Sequence, residues 1–408
     1  MFSRQRKKQI EIVLSIFIIV LINTGISFAQ SDYIIFGPKQ YDKPKGSPVT
    51  YTDTFQAYTG INYTLLIQSG QDGLSEVKNV SVSINGVEVL DSSDLRKSNP
   101  STKTISLQSN NTLKVVLKGQ GGNFITVKVL APPLNIISVS PASGETILKP
   151  EITVTGRVIN FTGNETGVTV NGKVANVYGN QFVTNSVSLV EGVNTITVTA
   201  KDTTNNSATA SVTVNAVTTG SYVKLSSSLD SSIAPLTANF STSTSTFTPA
   251  SYQMDYEGDG IIDYTGTTFD NIGHVYTSEG IFYPTVTAID NQGNTYSDSI
   301  AITVLSKTEM DSLLKGKWDG IKEAMISKDV SKATGYFIDH AQERYSGIFT
   351  ALGDRLPQVV QDMQTISMIY LRNGVAKYRI RRTEAAGEIT YYIYFVKDEN
   401  GLWKIQQF

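Results

Sequence analysis

Two stretches 88 positions apart leave this chain little choice of architecture. Glu191-Gly192 precedes TVTAKDTTNN and Glu279-Gly280 precedes TVTAIDNQGN, so Asp202 and Asp290, and Asn206 and Asn294, fall in equivalent places. A looser copy lies upstream, where Asn111-Thr112-Leu113 aligns with Asn194-Thr195-Ile196 at a shift of 83. Each copy alternates Thr or Ser with Val, Ile or Leu, the period of a strand with one buried face. Helical spacing is absent from 47 to 305. Short strands and turns recurring at this interval predict tandem β-sandwiches of ~100 residues each.

The turns support the same reading. Asn85-Gly86 interrupts VSVSINGVEV, and Asn171-Gly172 interrupts GVTVNGKVANV. Asn-Gly between alternating strands is the strongest short hairpin signal, because both positions of the turn need positive φ. Residues 32–46 are rich in Pro, Gly and Lys and suit a leader strand or tether, and Asp91–Thr102 reads as a polar loop. Ala131-Pro132-Pro133 closes the first unit.

After Leu305 the period changes. Ser306 and Glu309 have the spacing of a capping box. Met310, Leu313, Leu314, Ile321 and Met325 then follow at helical spacing. Shorter helical stretches cover about 330–337, 341–351 and 357–363. The end is a meander of TISMIYLR, VAKYRIRR, ITYYIYFVK and LWKIQQF, broken at Asn373-Gly374 and Asn400-Gly401. Helices followed by an antiparallel sheet predict an α+β domain.

Charge and targeting bound the function. There is no Cys, so neither a disulfide framework nor a thiolate site exists. The net charge of −2 argues against a nucleic-acid binder. Residues 30–305 hold 15 Lys+Arg against 22 Asp+Glu, whereas 306–408 hold 15 against 13. Arg4, Arg6, Lys7 and Lys8 precede an apolar run from Ile12 to Ile26, and Ser27-Phe28-Ala29 supplies small residues for cleavage after Ala29. We expect residues 1–29 to be a signal peptide, with an uncleaved anchor as the alternative and no membrane span after cleavage. The mature chain is then secreted or held at the cell surface.

The third unit resembles the polycystic-kidney-disease (PKD) type of immunoglobulin-like domain, on APLTANFS, YQMDYEGDG and HVYTSEGIFYPTVTAIDNQGN within 222–305. Met254 stands where that family usually has Trp, and Tyr256 where it has Phe. The second unit is similar to the immunoglobulin-type modules attached to bacterial polysaccharide-active enzymes, and the first is immunoglobulin-like in pattern. Residues 307–408 resemble the nuclear-transport-factor-like (SnoaL-like) cone fold. The resulting expectation is a multidomain, mainly β chain of three immunoglobulin-like sandwiches (30–132, 133–218, 219–305) followed by an α+β cone-type domain (306–408).

Three groups carry candidate chemistry. Asp255, Glu257, Asp259 and Asp263 occupy positions 1, 3, 5 and 9 of a loop with Gly260 at position 6, the front half of an EF-hand-type Ca²⁺ loop. Position 12 is Gly266, so the bidentate closing carboxylate is missing. A solvated acidic turn is the alternative. His340 and Tyr345 could line a pocket between helices and sheet, His being the natural acid/base near neutral pH. Lys377, Arg379 and Arg381 share one strand face opposite Tyr392 and Tyr394, which suits an anionic ligand or an acidic partner surface. An ordinary solvated sheet face is the alternative to this last reading.

No GxSxG, HExxH, P-loop or dinucleotide fingerprint appears. The reading is a non-enzymatic, exported bacterial modular protein whose sandwiches contact extracellular protein or polysaccharide and present the terminal domain. A small-ligand receptor or enzyme in 307–408 and a structural component of a surface layer are its rivals.

Overall fold

Alternating Val, Ile, Leu and Thr build the strands observed in the computed structural model, which describes residues 32–408 except 71–75, 78 and 385–386. The expected signal peptide lies outside the described residues. In the first sandwich one sheet orders Tyr33–Lys43, Asn123–Ala131, Asn62–Ser69 and Ser101–Ser106. The other orders Val49–Gln56, Asn110–Lys118, Asn79–Ile84 and Val87–Asp91. Every second residue points inward: Tyr63, Leu65 and Ile67 face Leu113, Val115 and Leu117 across the core, all fully buried. Asn85 (φ 52°) and Gly86 (φ 83°) make the hairpin turn, as the sequence predicts.

Residues 91–102 differ from the loop expected there. Ser92–Lys97 is a short helix, because Asp91 accepts the Ser93 and Asp94 amides while Asp94 reaches back to the Asp91 amide. That reciprocal cap uses Asp at both ends and escapes the usual Ser/Thr…Glu pattern.

The second sandwich (134–216) packs a five-stranded sheet containing Gly192–Asp202 on a four-stranded sheet containing Glu151–Asn160. The third packs Val223–Ser227, Leu236–Thr244 and Ile272–Tyr276 on a sheet containing Pro249–Asp255 and Thr285–Asp290. Met254 is fully buried in its core, where a large apolar side chain is needed.

Ser306 caps the helix Lys307–Ile326 through its side chain, accepting the Glu309 amide at 3.4 Å. Leu314, Trp318, Ile321 and Met325 face the final four-stranded meander (367–407). This sheet does not stop at the third sandwich. Ser232 pairs with Arg372, so Ser231–Ile233, Ile302–Leu305 and Gly280–Phe282 extend the meander into a seven-stranded sheet. Asn373 closes the join: its side-chain oxygen accepts the Asp230 and Ser231 amides, and its own amide donates to the Ser231 carbonyl at 2.8 Å.

Other contacts brace the second sandwich. Buried Asn185, 7% exposed, donates to the Ala301 carbonyl and accepts the Ala301 amide, both at 2.8 Å. Lys149 pairs with Asp298, and Lys224 with Glu151 at 2.7 Å. Toward the C-terminal helices and sheet, Glu165 pairs with Lys317 at 2.5 Å and accepts the Trp403 amide at 2.6 Å. Lys397 donates to the Ala175 carbonyl at 3.0 Å. Gly167 permits the approach, since a Cβ there would stand 2.1 Å from the Asn400 carbonyl oxygen. The second sandwich therefore grips both neighbours that follow it in sequence. Among the described residues no helix is long and apolar enough to cross a membrane.

Candidate functional site

The sequence-derived candidates fall into three separate places. In the third sandwich, Asp255, Glu257 and Asp263 bring carboxylate oxygens within 4.8 Å of one another; Asp259 is not in that group. Backbone amides already occupy part of the cluster. Asp255 accepts Gly258 at 2.7 Å and Gly260 at 2.8 Å, Asp263 accepts Tyr256 at 2.7 Å, and Asp259 turns away to accept Ile261. Gly258 (φ 76°) has no room for a side chain, because a Cβ would lie 2.5 Å from the Tyr283 carbonyl oxygen.

Glu257 lies 2.8 Å from His274 Nε2. Burial raises the Glu257 carboxyl; His274 opposes that, and Asp263 and Asp259 add to it. Tyr276 donates to the Tyr256 carbonyl beneath the loop; Phe240, Tyr256 and His274 stack in turn, His274 meets Tyr276 edge-on, and Tyr276 lies tilted against Phe282. The donors are hard oxygens of the type Ca²⁺ takes. With both Asp255 oxygens engaged by amides, they offer fewer than the six to eight ligands of a complete calcium shell.

His340 and Tyr345 do not converge. Five residues along a helix turn a side chain by about 140°. His340 is exposed in the first turn of Asp339–Leu352, while Tyr345 is buried. Tyr345 stacks on Phe337 with centroids 3.9 Å apart, and its hydroxyl both donates to and accepts from the Phe408 backbone at 3.1 Å. Tyr345 anchors the C-terminal strand, and the expected pairing with His340 is corrected.

Lys377, Arg379 and Arg381 do share one face. Strand register places Tyr370 and Tyr394 on either side of Lys377, Ser367 and Tyr392 beside Arg379, and Thr390 beside Arg381. The Lys377 ammonium sits 3.9 Å from the Tyr392 ring centroid and 5.3 Å from that of Tyr394. The Tyr394 hydroxyl holds its pKa above the ordinary lysine value. Arg372 lies over Tyr370 at 4.9 Å, and Arg381 meets Glu388 at 4.0 Å. Arg372 and Tyr370 were not singled out from sequence, because the preceding strand was read for its period alone.

The opposite face closes a cavity of about 230 Å³ against the helices. Trp318, Met363, Ile380, Ile393 and Phe408 line it, with Asp362 and Arg382, 3.4 Å apart, in its wall. The alternation that exposes Arg379 and Arg381 is the signal that turns Ile380 inward.

Comparison with known proteins adds one family. Residues 132–218 match the family described as glucodextranase, domain B. The chain contains immunoglobulin-like β-sandwich modules. No curated protein matches. Solved structures with a similar chain path include the fibronectin(III)-like modules of Clostridium thermocellum CbhA, at 14% identity over 43% of this chain and 95% of that one, with a TM-score of 0.18. Latent PorU from Porphyromonas gingivalis is 10% identical over 66% of this chain and 34% of its own, at 0.25. The N-terminal Ig1-2 module of the Drosophila receptor protein tyrosine phosphatase DLAR is 12% identical over 43% and 99%, at 0.19. Scores of that size carry no argument about function.

Proposed function

We propose that this is an exported, non-enzymatic modular protein of the bacterial surface. Its immunoglobulin-like sandwiches contact extracellular protein or polysaccharide and hold the C-terminal α+β domain in a fixed attitude. The observation that carries the reading is the open sheet face on which Lys377, Arg379 and Arg381 alternate with Tyr370, Tyr392 and Tyr394. Cations ordered against aromatic rings on a rigid sheet are a recognition surface for an anionic ligand, and contacts from the second and third sandwiches fix where that face points. The signal-like leader supports export. The family matched over 132–218 carries the name of a glucodextranase, and a polysaccharide is the ligand class that name supports here. The PKD-type and nuclear-transport-factor-like assignments belong to this reading too. So does a structural calcium ion at Asp255, Glu257 and Asp263, which would relieve the mutual repulsion of three carboxylates.

Binding of the full chain to immobilised polygalacturonate, measured as a function of salt, tests the sheet face. Retention that falls with salt and is weakened in the Lys377→Ala/Arg379→Ala double variant is the expected result. Retention unchanged in that variant would remove the face from the function.

A second reading has its own observation, the cavity under Trp318. It would take a small apolar ligand, the Asp362–Arg382 pair orienting a polar end. Quenching of Trp fluorescence by an apolar probe, absent in Ile393→Trp, would favour it.

A further inference from the structure

We infer that the groove between the first and second sandwiches binds a saccharide chain, preferentially one carrying carboxylates. The inference rests on the reading of the sandwiches as polysaccharide-contacting modules and assigns that contact a place.

The groove encloses about 550 Å³, within the ~300–1,000 Å³ typical of ligand pockets. Two aromatic rings, Tyr58 and Phe161, line it, and Tyr33 adjoins them through Phe161. Tyr33 stacks on Phe161 with centroids 5.3 Å apart and planes 13° from parallel, and Tyr58 lies 6.0 Å from Phe161. Rings that only fill a junction would be covered, yet Tyr33 is 43% and Tyr58 40% exposed. The platform is also held in place. The hydroxyl of fully buried Tyr63 donates to the Tyr58 carbonyl at 2.8 Å and accepts the Tyr58 amide at 3.0 Å, while the Ala57 amide donates to the Ser109 carbonyl. Gly60, at φ 83°, rests the tip of this segment close to the Ile137 backbone of the second sandwich.

Beside the rings stand Gln56, Asn110 and Arg157, all exposed. Their side chains make no hydrogen bond or ion pair with another described residue. A sugar ring has an apolar C–H face and a rim of hydroxyls. It can cover Tyr58 or Tyr33 while two amides, each both donor and acceptor, take its hydroxyls. A fully apolar ligand would leave those amides and the guanidinium unpaired on desolvation. A folded protein would need roughly 800 Å² of surface per side, more than a groove of this size presents. Arg157 supplies the preference for acid, since its planar fork fits a carboxylate in bidentate fashion.

The test uses calorimetric titration of the full chain with an oligogalacturonate and with an isomalto-oligosaccharide of equal length. We expect the acidic probe to bind more tightly. Tyr58→Ala should weaken both by tenfold or more, and Arg157→Ala should bring the acidic probe down to the affinity of the neutral one. Should Tyr58→Ala lower the melting temperature, the exposed Asn110→Ala and Arg157→Ala carry the test alone. Binding that survives all three substitutions but is lost in Lys377→Ala/Arg379→Ala overturns the groove and leaves the surface-protein reading standing. Absence of binding by either probe overturns the groove and polysaccharide as the sandwiches' ligand class together.

Discussion

Replacing Asn185 by Ala removes the buried hydrogen-bonded contact between the second and third sandwiches and leaves the ion pairs Lys149–Asp298 and Lys224–Glu151 in place. The Asn185 amide forms a reciprocal pair of 2.8 Å bonds with the Ala301 backbone, in a region closed to water. Truncation leaves the Ala301 N–H and C=O buried without partners. Each unsatisfied group costs about 1–3 kcal/mol, so the sum is about 2–6 kcal/mol. Both sandwich cores stay intact, because Asn185 belongs to neither hydrophobic cluster. For units of ~90 residues a kcal/mol is worth about 4–8 °C, so calorimetry of the full chain should show the affected transition lower by about 10 °C or more. The transitions of the two sandwiches should also separate in the variant if they coincide in the parent. Asn185→Asp keeps the acceptor, loses the donor and adds a buried charge, and it should be no milder. A shift under about 2 °C in both variants would refute the idea that this contact couples the two units.

Four further outcomes follow from the same geometry. Glu165→Ala leaves Lys317 and the Trp403 amide unpaired at the contact with the C-terminal sheet and should cost about 3–5 kcal/mol in denaturant titration, while Glu165→Gln, which keeps the amide's acceptor, should cost less. Burial lowers the Lys397 ammonium to about 8 against an unfolded value of about 10.4, so across that window the unfolded chain binds more protons. Stability should therefore rise from pH 8 to 10 in the parent, and more steeply than in Lys397→Met. A calcium ion at Asp255, Glu257 and Asp263 predicts a higher melting temperature in millimolar Ca²⁺ than in chelator, from a stabilisation of about 2.7 kcal/mol at a hundredfold excess over Kd; equal temperatures would leave the loop as a turn held by its own amides. Lys377→Ala with Arg379→Ala should weaken polygalacturonate binding roughly tenfold, about 0.7 kcal/mol per side chain, within the range of exposed charge pairs.

The strands and helices were legible because their signals are local. Alternating Thr and Val mark Gly192–Asp202, Asn-Gly marks the turns at 85 and 171, and Ser306 marks a helix start. Lys377, Arg379 and Arg381 could be placed on one face because a strand repeats every two residues. His340 and Tyr345 could not be placed by proximity in sequence, since five positions on a helix put them on different sides. What stayed hidden is what crosses units. Asn185 meets Ala301 across 116 positions, and Glu165 meets Trp403 across 238. Nothing in the residues around Asn185 announces a partner so distant. Ser232 likewise joins Arg372 by a single pair, from a three-residue strand too short to carry a period.

The bracing of the terminal domain by the second sandwich can be measured directly, because a chain without Cys accepts two labels at chosen places. Thr203→Cys in the second sandwich and Glu343→Cys on the helix Asp339–Leu352 are both exposed and report the distance between the two units. Spin labels at these positions should give one narrow distance distribution in pulsed dipolar spectroscopy, broadening when Glu165→Ala and Asn185→Ala are combined. A broad distribution in the otherwise unaltered chain would contradict a fixed attitude for the C-terminal sheet face.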